Sequence, residues 1–104
     1  MSGGRIHLIN ADDVRLAKAA ANYVEIDTSR KTLLVRMTLR ELERLLAVAG
    51  EHHIRIHRSY LVHKADIAEL IPNGDGSASI LLSDGQTVQV SRSYKPALTA
   101  ALSN

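Results

Sequence analysis

No cysteine occurs among the 104 residues, and neither phenylalanine nor tryptophan. Without cysteine, structural disulfides and thiolate metal sites are excluded. The same absence fits a reducing compartment, and we expect a cytoplasmic protein. Tyr23, Tyr60 and Tyr94 are the whole aromatic complement, a poor supply for the stacking platform that holds single-stranded nucleic acid. No apolar run approaches the roughly 20 residues of a membrane helix. Met1-Ser2-Gly3-Gly4 lacks the apolar stretch of a signal peptide and reads as a flexible lead or an artificial addition. Acid is missing from two stretches. None lies between Glu51 and Asp66, which enclose Arg55, Arg58, Lys64 and four histidines. None follows Asp84, where Arg92 and Lys95 remain. The net charge of +2 says little by itself. Its clustering is the electrostatic footprint of a polyanion binder, although a plain solvated basic face leaves the same trace.

The length suits one domain, residues 5–104, able to fold without a staple. Arg5 to Ile9 and Val14 to Ala19 read as short strands. Tyr23 to Asp27 alternates, with Val24 and Ile26 on the buried side. A polar turn over Thr28 to Lys31 leads to Leu33, Val35 and Met37, which alternate again and complete a hairpin. Thr38 with Glu41 forms a capping box, and Met37 with Leu42 a hydrophobic staple. Leu39, Leu42, Leu45, Leu46 and Ala49 then line one helical face, and Gly50 stops the helix. Beyond it the period returns to two, with Ile54 and Ile56 on one side and His53, Arg55 and His57 on the other. Tyr60 to Val62, Ile67 to Ile71, Ser77 to Leu82 and Thr87 to Val90 are further strands. Asn73-Gly74-Asp75-Gly76 and Asp84-Gly85 supply turns. Ser93 is positioned to cap a last helix running to about Leu102. The expected fold is mainly β, with short antiparallel strands, one embedded helix and a short C-terminal helix.

Candidate chemistry narrows quickly. His53 and His57 have the i, i+4 spacing that ligates metal on a helix. On a strand that spacing separates side chains by about 13 Å, so the pair cannot share an ion. Ser59, Ser91 and Ser93 lack a nucleophile elbow, and Gly74 and Gly76 stand in a hairpin turn rather than between strand and helix. We therefore expect no enzyme, no metal and no cofactor. Arginines offered from polar turns suit duplex DNA, because a planar guanidinium pairs bidentately with guanine in the major groove. Arg58 and Arg92 are the best placed for this. The competing reading is a protein-interaction or dimerisation module whose basic edge meets an acidic partner.

Asn22-Tyr23-Val24, Thr38-Leu39 with Glu41-Leu42, Arg55-Ile56-His57-Arg58-Ser59-Tyr60-Leu61-Val62, Asp84-Gly85 and Val90-Ser91-Arg92-Ser93-Tyr94 together resemble the LytTR DNA-binding domain of bacterial response regulators. The resemblance runs from about Arg5 to Leu102. It implies an elongated arrangement of small antiparallel sheets that regulates transcription by inserting loops into successive major grooves. It implies base contacts from Asn22, Arg58 and Arg92. Ser59, His63, Lys64, Ser91 and Lys95 flank these positions and by their chemistry are candidates for phosphate contacts. The partners implied are double-stranded DNA with repeated half-sites, a second copy on that DNA, and an upstream receiver or sensor domain. The chain departs from the family pattern at His63, where asparagine is common, at Ile54, where a large aromatic is common, and in the apolar run Ala19-Ala20-Ala21.

Overall fold

A computed structural model describes residues 10–103, so the strand expected over Arg5 to Ile9 lies outside the described residues. The elements are strands β1 (Val14–Ala20), β2 (Tyr23–Thr28) and β3 (Thr32–Val35), helix α1 (Leu39–Ala47), strands β4 (His53–His57), β5 (Tyr60–His63), β6 (Ile67–Pro72), β7 (Ala78–Leu82) and β8 (Thr87–Val90), and helix α2 (Lys95–Leu102). Short 3-10 turns at Ala11–Asp13 and Lys64–Asp66 precede β1 and β6. Five strands form one antiparallel sheet in the order β3-β2-β1-β5-β4, and β6-β7-β8 form a second. The molecule is elongated, 49 × 25 × 25 Å.

Strand alternation divides the apolar residues between the two faces of the larger sheet. Val24 and Ile26 on β2, Ala17 on β1 and Leu61 on β5 face α1 and pack on Leu39, Leu42 and Leu46. Leu16, Val62 and Ile56 face the opposite way and meet Ile80, Leu82, Val90 and Leu98 from the smaller sheet and α2. Strict alternation would set Val14 and Leu16 on one side. The register of β1 against β2 shifts between them, and this irregularity turns Val14 toward the α1 cluster and Leu16 toward the other. Full burial of each such aliphatic contributes about 1.5–3 kcal/mol before entropy is set against it.

The helix begins as the capping box predicts. Thr38 Oγ1 accepts from the Glu41 amide at 3.0 Å, and Glu41 Oε1 accepts from the Thr38 amide at 2.9 Å. Hydrogen bonding to the Thr38 amide first, and to the Thr38 side chain second, holds the Glu41 carboxyl below its usual range. Gly50 lies past the helix end with φ +130°. The apolar stripe of α1 is narrower than its spacing predicts. Leu45 is 63% exposed, beside exposed Val48 and, across an open apolar groove, Leu34. Ser93 does not cap α2. Tyr94 takes the cap position without a side-chain bond. The Lys95 amide already donates to Ser91 O at 3.1 Å, and Pro96 in the first turn has no N–H to satisfy.

Candidate nucleic-acid interface

Two backbone hydrogen bonds bring three loops together. The β1–β2 hairpin turns on Ala21 and Asn22, because Ala20 pairs with Tyr23. The β4–β5 hairpin turns on Arg58 and Ser59. The strands β1 and β5 are neighbours with Lys18 opposite Tyr60, and the Ala19 amide donates to Ser59 O at 2.9 Å. The two hairpin tips therefore stand side by side. The third segment, the turn after β8, is tied in by the Ser91 amide, which donates to Ile56 O at 3.0 Å. Residues 22, 58 and 92, scattered along the sequence, are thus presented by adjoining loops. Asn22, Arg58 and Arg92 are exposed. Among the described residues neither arginine forms an ion pair.

Each loop is stiffened locally. Ala21 has φ +55°, a left-handed conformation that costs an L-residue about 1–2 kcal/mol. We expect Ala21→Gly to raise stability by about 0.5–1 kcal/mol in urea unfolding, the relief of strain exceeding the chain entropy glycine adds. A loss of stability would show that the turn carries no strain. In the second loop, His57 Nδ1 accepts from the Ser59 amide at 3.1 Å. Arg55 reaches forward to the same loop, with Nε donating to His57 O at 2.9 Å and Nη2 to Arg58 O at 2.6 Å. In the third, the Arg92 side chain lies across Gly76 of the β6–β7 turn. A Cβ on Gly76, whose φ is +96°, would fall 3.0–3.2 Å from Arg92 atoms. The same turn carries Asp75, whose carboxyl is held below its usual range chiefly by the Ser77 hydroxyl and amide, with Arg92 charge adding to the effect.

The remaining expected contacts divide. Ser59 and Ser91 are half-buried within the loops just described, and half-buried Lys95 opens α2 directly after the third. His63 and Lys64 sit at the opposite end of the β4–β5 hairpin, where the Lys64 amide donates to His52 O at 2.8 Å. Lys64 lies five residue steps along the strand from Ser59, about 16 Å. His63 is only 8% exposed. Its Nδ1 accepts from the Ala65 amide at 3.0 Å, and its Nε2 lies 3.3 Å from Asp12 Oδ1. Both ring nitrogens are thus engaged by neighbours within the chain.

The sequence matches the LytTr DNA-binding domain family across residues 4–103. The chain belongs to that family. Transcriptional regulatory protein BtsR of Salmonella typhi is 33% identical over 99 residues, and its Escherichia coli K12 counterpart 32%; each match covers 94% of this chain and 39% of the relative. Sensory transduction protein LytT of Bacillus anthracis is 30% identical over 97 residues, covering 93% of this chain and 39% of that protein. The chain thus spans about two-fifths of the length of the curated relatives it matches. A solved LytTr DNA-binding domain from Bacillus cereus superposes with a TM-score of 0.81 at 24% identity, over 90% of this chain and 84% of the other, a likeness of fold. The mainly β architecture with antiparallel sheets and two helices is that of the LytTr domain. No helix among the described residues is long and apolar enough to cross a membrane.

In this LytTr domain the histidines away from the loops form a packed cluster. The His53 ring meets His63 edge-on at 4.7 Å, and His52 stacks on His63 at 5.9 Å. His53 Nε2 is 2.8 Å from Val14 O, while its Nδ1 is buried without a partner. Protonation would place charge on that unpartnered nitrogen. Burial accordingly lowers the His53 pKa from the ordinary 6.5; the neighbouring His63 and His52 push the same way, and Val14 O and Asp12 oppose them. The unfolded chain therefore takes up this proton first. The stability held above the unfolded value of 6.5 is lost as the pH falls toward the folded pKa. Between pH 7.5 and 5.5 we expect the Tm to fall, and His53→Gln to flatten that dependence. A Tm that is level or rises on acidification would contradict it.

Sequence reasoning missed three features of these loops: the left-handed Ala21, the forward reach of Arg55, and the packing of Arg92 on the β6–β7 turn. Only the third left a signal, in the Asp75-Gly76 pair.

Proposed function

We propose that the chain is a sequence-specific duplex DNA reader of a bacterial transcriptional regulator. Asn22, Arg58 and Arg92 contact base edges in successive major grooves, while Ser59, Ser91 and Lys95 hold phosphates. The observation that carries this reading is the joining of three loops, with two exposed arginines outside any ion pair among the described residues. A structural arginine on a small domain finds a carboxylate or a carbonyl. An arginine kept free on a braced loop is ready for a bidentate partner such as guanine. The chain's charge also fits. Lys95 occupies the first turn of α2, the end of a helix dipole that disfavours cations, and a phosphate would relieve that cost.

His63 and Lys64 are left out of the proposed contact set because of where the fold places them. We place the chain inside a longer cytoplasmic regulator carrying a receiver or sensor domain, acting as a pair on repeated half-sites. No catalytic step or cofactor enters this reading.

Selection of bound sequences from a random duplex pool tests the proposal. An enriched motif, repeated at about one helical turn, is expected; an unenriched pool would overturn it. For the phosphate contacts, Lys95→Ala should weaken selected and random duplexes alike and reduce the salt slope by about 1. An unchanged slope would remove Lys95 from the interface.

A further inference from the structure

Arg55 belongs to none of the three loops, yet it is bonded to the central one. It sits on β4 opposite Leu61, and the register then slips so that His57 faces Tyr60. This irregularity bends the strand just before the Arg58-Ser59 turn and leaves carbonyls pointing away from the ladder. The Arg55 guanidinium fills that gap. Its Nε and Nη2 hold the carbonyls of His57 and Arg58, and its Nη1 donates to Glu43 Oε1 of α1 at 3.0 Å. Its side chain is only 21% exposed. The planar fork is thus anchored on a helix and holds two consecutive loop carbonyls, one of them belonging to Arg58 itself.

We infer that Arg55 is a positioning residue for base reading: anchored by Glu43, it fixes the backbone from which Arg58 reaches DNA. The inference rests on the proposed role of Arg58. Charge-assisted bonds to carbonyls are stronger than neutral ones, and a loop fixed in advance pays less ordering cost on binding. Lysine keeps the charge of Arg55 but is a point donor that cannot hold three acceptors in one plane. Arg55 therefore acts on which base is read more than on how strongly the duplex is held.

The test compares Arg55→Lys in two backgrounds, on the duplex selected by the unmodified chain and on random duplex, across a salt series. In the otherwise unmodified chain, Arg55→Lys should lower selected-site affinity about three- to tenfold, the equivalent of ordering one long side chain. Random-duplex affinity should stay within about twofold and the salt slope unchanged, because no phosphate contact is lost. In the Arg58→Ala background the same change should cost less than about twofold, since Arg55 acts through Arg58. Amide exchange at residues 57–59 of the free protein should quicken. Glu43→Gln, which keeps Arg55 and weakens its anchor, should move every readout the same way by a smaller amount, and it decides the matter alone if Arg55→Lys does not fold. An equal loss in both backgrounds, with random duplex losing as much as the selected site, would make Arg55 a direct backbone contact and overturn the inference. If the unmodified chain selects no sequence, the DNA-reading proposal itself fails and this inference falls with it. Clear selection with an unaffected Arg55→Lys defeats the inference alone.

Discussion

Replacing Arg58 and Arg92 together by alanine is expected to lower affinity for a selected duplex by roughly 2–6 kcal/mol, several hundred-fold at the middle of that range. The figure takes about 1–3 kcal/mol for each bidentate base contact. The two arginines stand on different loops, so their losses should add approximately. Random duplex should lose far less, and the selected preference should relax at the positions that each arginine reads. The reasons are structural. Both side chains are exposed and unpaired among the described residues, and both loops are tied to the sheet by backbone bonds. A loss as large on random as on selected DNA would assign the two arginines to phosphates. Electrophoretic or fluorescence titration at fixed salt distinguishes the outcomes.

The second large effect is on folding. Ile56 is fully buried between the sheets, with Leu16, Val62, Val90 and Leu98 in the same cluster. Its carbonyl also receives the Ser91 amide, the bond that joins the third loop to the second. Ile56→Ala should cost about 2–5 kcal/mol in urea unfolding, because the lost transfer energy is joined by the cavity left behind. For a domain of this size the Tm should fall by about 10 °C or more. A cost below about 1 kcal/mol would mean that the two sheets are not held together through this residue.

Most of the fold was legible because period and punctuation agree. The capping box at Thr38 and Glu41, the alternation of Val24 and Ile26, and the Asp84-Gly85 turn are local signals, and each element forms where they predict. Failures arise where a third element decides. Leu45 has helical spacing with Leu42 and Leu46, but nothing described packs over it. Spacing alone cannot show how wide the covering face is. Ser93 has the chemistry of a cap, but the Ser91 carbonyl takes the amide first. Val14 and Leu16 part company through a register irregularity that no residue in the stretch advertises.

The candidate site was legible residue by residue and not as a constellation. Asn22, Arg58 and Arg92 come from the family resemblance, supported for the arginines by their polar turns. Their meeting depends on the pairing of β1 with β5 and on one bond from Ser91 to Ile56, both long-range. His63 is a second case. Read along the chain it continues a basic stretch; in space it is a buried ring hydrogen-bonded to Ala65 and Asp12. Arg55 shows a third kind. On a half-buried strand an arginine reads as an outward charge, whereas here the nearest acceptors are the backbone carbonyls of the next turn.

The most direct test of the account is amide chemical-shift mapping during titration with a selected duplex. The account predicts the largest perturbations at Ala21 and Asn22, at Arg58 and Ser59, and from Ser91 to Lys95, with little change at His63, Lys64 and the Asp84-Gly85 turn. Perturbations centred on the apolar groove around Leu34, Leu45 and Val48, with the three loops silent, would contradict it.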